Sequence, residues 1–367
     1  MKIEINGVEY TGFQSATATV SIDKLTNSFS FTSGISKNIN LDFGVGDECV
    51  IYVSGERIIT GHIEVIGGSG DKDTSSINIA GRDRTGDIVD SAIGKLDDLK
   101  TGTLKNLIEL VIAHIGADID VIDLADVKLD MNQDSNSAEI GDNAFDYIQK
   151  IARNSHCILT SDDEGNVVIQ RSVGVVIDAH VTNRVNGAEN NVLNYTFDFD
   201  HTGRFFKYLS AGNRNLLFAG TQTPKAVVDQ NGFVTDTRIR EGRQFVISTE
   251  NPGASPAQSD RAKWELNIRK ARSRTYGATV SGYRNQTGEV WTPNTIAKIF
   301  DDNAKINDSM LINEVSYRMD LDDGRTSELG FVNKNAYTLL SEEPRESKSG
   351  GNLENALTAK GFQVDAE

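Results

Sequence analysis

The sequence predicts a mainly β protein with α+β modules: two copies of one antiparallel β-domain, a small α/β module and an inserted helix. Three observations predict it. Residues 59–83 (ITGHIEVIGGSGDKDTSSINIAGRD) and 311–335 (LINEVSYRMDLDDGRTSELGFVNKN) lie over one another without a gap at an offset of 252 residues. In both, an alternating apolar run (Ile59, Ile63, Val65 against Leu311, Val315, Tyr317) enters a polar turn, and a second run leaves it (Ile77, Ile79 against Leu329, Phe331). Strand alternation has period two, so a shared phase keeps the same face buried in both copies. The second observation is length: 367 residues exceed one ordinary core and suggest about two to four domains. The third is composition, 38% apolar and 25% charged, which is that of a soluble globular chain.

The first ninety residues read as strands and turns. Tyr10 to Ile22 is rich in Thr, Val and Ser, Phe29 and Phe31 alternate, and Cys49 to Val53 (CVIYV) leads into the first hairpin. Residues 91–175 form the α/β module. Thr101 or Thr103 caps a helix whose Leu104, Leu107, Ile108, Val111, Ile112 and Ile115 share a face before Gly116 stops it. Asp142 caps a second helix, with Phe145, Ile148 and Ile151 inward, and a hairpin from Cys157 to Gln170 closes the module. Residues 176–225 return to β character. A loop at Asn251–Pro256 introduces a third helix over 257–274, a final β segment runs over 277–338, and the residues from Ser341 onward read as linker and tail.

Charge and motif content exclude more than they assign. A net charge of −16 repels nucleic acid, so a clamp that displaces counterions from phosphate is excluded, whereas an acidic wall along which DNA slides is not. No apolar run of roughly 18 residues exists, and the start, Met1 to Asn6, lacks the apolar core of a secretory signal, so assembly in the cytoplasm is expected. Cys49 and Cys157 have no CxxC spacing and read as reduced thiols. Gly81 to Asp87 lacks the GK[ST] ending of a phosphate loop. His62, His114, His156, His180 and His201 show no paired spacing, and Asp320, Asp322 and Asp323 before Gly324 break the order of a calcium loop, so neither metal nor cofactor is expected. No nucleophile elbow occurs, and the chain is read as a non-enzyme.

The third helix is the one local charge anomaly. Arg261, Lys263, Arg269, Lys270, Arg272 and Arg274 crowd together with Glu265 opposing them, while Trp264, Ile268 and Ala271 share an inward face. Either the cations relieve the acidity of their own neighbours, or they contact an acidic surface on another subunit.

Gly46-Asp47 before CVIYV, the TGHIEV strand, the closing GRDRTGDIVD, and then Ala262-Lys-Trp264-Glu, Val280-Ser-Gly282-Tyr, Val290-Trp291-Thr-Pro293-Asn294-Thr and Leu311-Ile-Asn-Glu together resemble the baseplate hub proteins of Mu-like contractile-tailed phages and prophages. The resemblance runs from about residue 1 to 340 in one order. It implies a homotrimer in which each chain gives two β-barrels to a pseudo-sixfold ring, joining a sixfold tail tube protein to a threefold central spike protein beside other baseplate proteins. It further implies an acidic channel that passes DNA without specific binding, a place in the virion, and no membrane insertion by the chain itself.

In these terms 1–90 is the first barrel, 91–175 a layer below the ring, 176–225 plus 277–340 the second barrel, 226–276 an insertion carrying the basic helix, and 341–367 a flexible tail. Within that tail Leu353, Leu357 and Phe362 (with Ala356 and Val364) outline a short amphipathic segment that could order on the spike. Two other classes are consistent with a β-rich acidic chain: a receptor- or carbohydrate-binding tail protein, and a tail-associated cell-wall hydrolase. Only 7% aromatic residues disfavour the first, and the missing catalytic module disfavours the second.

Overall fold

A computed structural model describes residues 1–336 except 36–41, 73–74, 95–100, 131–137, 139, 172–173, 188, 213–226, 250–257 and 323. Seven strands come first: β1 (Lys2–Ile5), β2 (Val8–Tyr10), β3 (Ser15–Ser21), β4 (Ser28–Ile35), β5 (Glu48–Val53), β6 (Glu56–Gly70) and β7 (Ser75–Asp83). They pair antiparallel in the order β3-β4-β7-β6-β5-β1-β2. Alternation puts Ala16, Ala18, Phe29, Phe31, Ile51, Ile63 and Ile79 into one buried core, as period two requires when one face is covered.

The module follows as α1 (Gly86–Asp90), β8 (Thr101–Thr103), α2 (Leu104–Ile115), β9 (Val121–Asp123), β10 (Lys128–Asp130), α3 (Ala144–Asn154), β11 (Ile158–Ser161) and β12 (Val167–Gln170). Thr103 and Asn106 form a capping box on α2, and Gly116 closes it at φ 74°, a left-handed position that glycine takes without steric cost. The helix α3 is capped by Asn143, whose side chain accepts from the Asp146 N–H, and not by Asp142 as expected. Leu104, Leu107, Ile108, Val111, Ile148 and Val167 form the module's own core.

The rest of the chain comprises β13 (Val175–Asn183), β14 (Val192–Phe199), β15 (Lys207–Gly212), β16 (Val227–Thr235), β17 (Gln244–Thr249), α4 (Gln258–Arg272), β18 (Arg274–Ser281), β19 (Thr295–Asp301), β20 (Ile306–Asp320) and β21 (Gly324–Asn333). The order β14-β18-β21-β20-β19 reproduces β3-β4-β7-β6-β5 strand for strand, all antiparallel. The sixth strands differ: β1 runs antiparallel to β5, whereas β13 runs parallel to β19.

The repeat is real in topology, but its register differs from the gapless 252. The Gly46 N–H donates to the Ile63 carbonyl at 2.7 Å, and the Asn294 N–H donates to the Ile312 carbonyl at 2.8 Å. One residue later each strand bulges, at Glu64 and at Asn313. Ile63 therefore corresponds to Ile312 and, across the hairpin, Gly81 to Phe331. A bulge sets two residues against one and reverses the phase beyond it, so Ile63 and Ile66 both face inward and a slip of three residues leaves the apolar pattern intact.

Two expected boundaries also move. The range 176–225 contributes β13 and β14 to the second array, but β15 leaves it and forms a separate sheet in the order β16-β15-β17. The basic helix ends at Arg272, and Arg274 begins β18. The tail residues Leu353, Leu357 and Phe362 lie outside the described residues.

Candidate assembly surfaces

The residue types that carry chemistry do not converge. The five histidines lie on β6, at the end of α2, before β11, on β13 and before β15, and among the described residues no group of three or more His, Cys, Asp or Glu could hold a metal ion. Both thiols are buried, and burial pushes Cys49 up to about 12 and Cys157 up to about 11, far from the range of a reactive thiolate. Trp264 and Trp291 are 4% and 1% exposed, which removes both indoles from any glycan-stacking surface. Among the described residues no helix is long and apolar enough to cross a membrane.

The helix α4 lies between the small sheet and the second array. Trp264, Ala262 and Ala271 are buried along it, Leu266 joining Tyr208 and Ile247 on one side and Ile268 joining Leu311 and Val332 on the other. Its cations are largely engaged within the chain. Arg269 donates to Glu265 at 2.7 Å and lies 4.0 Å above the Phe245 ring. Arg261 lies 3.7 Å from Glu265 and 4.7 Å above the Trp264 ring, where burial pushes its guanidinium down. Arg272 reaches Asp23 at 3.9 Å, and Arg274, already the first residue of β18, reaches Asp308 at 3.9 Å. Lys263 and Lys270 are half-buried. Arg261 and Arg269 thus pair with Glu265 inside the chain, and the Arg272 side chain, 63% exposed, faces outward.

Two further elements, outside the residues singled out from the sequence, bear on assembly. The first is an internal joint. β3 pairs antiparallel with β20, Ser21 opposite Glu314 through Ser15 opposite Asp320, and so fuses the two arrays into one sheet of thirteen strands. Across it Ala18 faces Tyr317, Ala16 faces Met319, and the Thr19 and Ser316 hydroxyls meet at 2.8 Å. The second is the outer edge of the other array. β14 ends the strand order, and on its Tyr276-facing side Tyr195, Phe197 and Phe199 form a row with centroids 6.4 and 5.3 Å apart. Phe197 is 46% and Phe199 47% exposed. The alternation Tyr-Thr-Phe-Asp-Phe is the signal that marks this row, whose phenylalanines stay exposed where β14 ends the strand order.

The first array is locked to the module through Asp83, 2% exposed at the end of β7. It accepts from the Asn27 N–H at 2.8 Å and the Ser161 hydroxyl at 2.5 Å on one oxygen, and from the Thr85 N–H at 3.2 Å and the Thr85 hydroxyl at 2.5 Å on the other. Burial outweighs these donors and pushes the carboxyl up to about 6.

A β-rich chain with two tandem arrays, joined edge to edge and flanked by α/β layers, shares its fold with phage tail proteins. Residues 1–83 match the N-terminal domain of Mu phage baseplate assembly protein GpP-like chains, and residues 254–340 match the fourth domain of the Mu phage baseplate assembly protein GpP. The baseplate hub protein gp44 of Escherichia phage Mu is 22% identical, over 97% of this chain and 94% of that one. The 43 kDa tail protein of prophage MuSo2 from Shewanella oneidensis is similar at a TM-score of 0.75, with 25% identity, over 91% of this chain and 98% of that one. A tail protein from Neisseria meningitidis MC58 gives a TM-score of 0.74 with 17% identity, over 92% and 97%. Along nearly its whole length the chain is thus similar to baseplate hub and tail proteins of Mu-like phages and prophages.

Proposed function

We propose that three copies of this chain form a closed ring of six arrays that joins a sixfold tail tube to a threefold spike and leaves a central passage for DNA. The observation that carries it is the β3–β20 joint, in which two copies of one domain already meet edge to edge within a chain. A step that joins one array to its copy, repeated head to tail, generates either a ring or a helix, and closure after six steps takes three chains. Six near-equivalent arrays match a sixfold tube. The differences between the copies, including the reversed sixth strand and the α/β layers attached at different points, repeat three times and suit the spike. The net charge of −16 suits a passage along which DNA slides without sticking.

The work is mechanical, and no residue is assigned a catalytic role. Assembly takes place in the bacterial host cytoplasm and the product resides in the virion. Outward cations of α4, Arg272 foremost, and the segment bearing Leu353, Leu357 and Phe362 are the proposed contacts to neighbouring baseplate proteins and to the spike. Light scattering on the purified chain tests the ring: three times the chain mass is expected at micromolar concentration, with threefold and pseudo-sixfold particles on image averaging. A monomer under those conditions overturns it.

A further inference from the structure

We infer that the aromatic row on β14 is completed by a second copy of this chain, whose β6 lies antiparallel beside it with Gly68 opposite Phe197. The inference rests on the ring reading and adds the strands, faces and register of the joint between chains.

The repeated topology supplies the equivalences. Ala18 lies opposite Phe29, which lies opposite Gly81, which lies opposite Ile63. Phe197 lies opposite Tyr276, Phe331 and Ile312 in the same succession. Phe197 therefore occupies the position of Ala18, Tyr195 that of Ala16, and Phe199 that of Val20. With Ile63 equivalent to Ile312 and a bulge after each, Ile66 occupies the position of Val315, Gly68 that of Tyr317 and Gly70 that of Met319.

In the internal joint β3 sits against Glu314–Asp320, just past the stretch of β20 that β19 covers. The matching stretch of β6, residues 65–70, lies just past the part covered by β5, and no strand among the described residues pairs with that side. Carrying the internal register across places Phe199 opposite Ile66, Phe197 opposite Gly68 and Tyr195 opposite Gly70.

Side-chain sizes support this register. The internal joint pairs a small edge strand with a large receiving strand: Ala18 with Tyr317, Ala16 with Met319. The inferred joint reverses the sizes in these two layers, Phe197 with Gly68 and Tyr195 with Gly70, while Phe199 with Ile66 takes the place of the apolar Val20–Val315 pair. Close packing requires such complementarity, because two aromatic rows would overfill the layer and two small ones would leave a void. Glycines at 68 and 70 would otherwise weaken a strand with no return.

Disulfide trapping tests the register. Ser69→Cys and Thr196→Cys are both exposed and fall opposite one another, whereas Gly67→Cys with Thr196→Cys is two residues out of register, about 8 Å between Cα atoms and beyond the reach of a disulfide. The native thiols are buried and give little background. Mild oxidation of S69C/T196C is expected to give covalent dimers and trimers on a non-reducing denaturing gel, with the mismatched pair and each single variant remaining monomeric. Phe197→Glu is expected to weaken assembly by about tenfold or more without changing the chain's own unfolding. A trimer by light scattering in which S69C/T196C does not cross-link, or in which the mismatched pair cross-links instead, overturns this register and leaves the ring reading standing. A monomeric wild type overturns both.

Discussion

Asp83 offers a sharp test of how the first array is held to its α/β layer. Its two oxygens each face one backbone N–H, Asn27 on one side and Thr85 on the other, besides the two hydroxyls. Truncation to alanine leaves both N–H groups buried without an acceptor. The Thr85 hydroxyl can turn to the Leu25 carbonyl, 3.2 Å away, so it adds little. At about 1–3 kcal/mol for each orphaned donor, Asp83→Ala should cost about 2–6 kcal/mol. Asp83→Asn keeps one acceptor and sets an amide against one N–H, and should cost about half as much. Urea unfolding followed by circular dichroism and by the buried tryptophans measures both.

The dependence on pH has a definite sign. A carboxyl raised to about 6 in the folded chain binds more protons there than when unfolded. Its stabilising contribution is fully present below the ordinary carboxylate range and is lost as pH rises through about 6. The whole loss is about 3 kcal/mol, of which about 2 kcal/mol falls between pH 4 and pH 7. The deficit of Asp83→Asn should therefore be larger at pH 4.5 than at pH 7.5. Equal losses for the two variants, losses near zero, or a deficit that grows with pH would refute the reasoning.

Gly61 on β6 has no room for a side chain, since a Cβ there would lie 1.9 Å from the Arg82 carbonyl oxygen; Gly61→Ala should lower the unfolding midpoint or yield insoluble protein, whereas Gly67→Ala, with nothing within 4 Å, should not. Arg204 and Asp236 form a buried pair, 5% and 6% exposed, and Asp236→Ala should cost about 3–5 kcal/mol in urea unfolding by leaving the guanidinium uncompensated. Native Cys49 and Cys157 should resist alkylation at pH 8 until denaturant is added, as mass spectrometry would register. Removing residues 341–367 should leave the number of chains in the oligomer unchanged and abolish capture of the cognate spike, and retained capture would remove the tail from the contact set.

What the sequence made legible was local. Thr103 and Gly116 bound α2 as their capping chemistry demands, and the apolar alternation of the hairpins reports burial whatever the fold around them. The offset of 252 failed by two to three residues for a local reason as well, because the bulges at Glu64 and Asn313 let a slipped alignment keep its apolar phase. The membership of β15 was hidden because its partners β16 and β17 follow it across a long connection. The β3–β20 joint left no local trace, since two polar-apolar strands nearly three hundred residues apart carry nothing that names each other as partners. The cations around α4 form a cluster in the sequence, but Asp23, in the bend after β3, and Asp308, on β20, are far away in the chain, and no helical spacing could reveal them.

The β3–β20 joint also sets an order of events during synthesis. β3 is complete within the first 21 residues, yet the strand it pairs with begins at Ile306. For most of translation one edge of the first array is an open hydrogen-bonding template, and every nascent chain on neighbouring ribosomes displays the same edge. Ala16 and Ala18 are small, and Thr17, Thr19 and Ser21 make the other face polar. The edge that waits longest is thus the one built least like an aggregation seed, while β14 emerges later, closer in time to β18, which pairs with its other side.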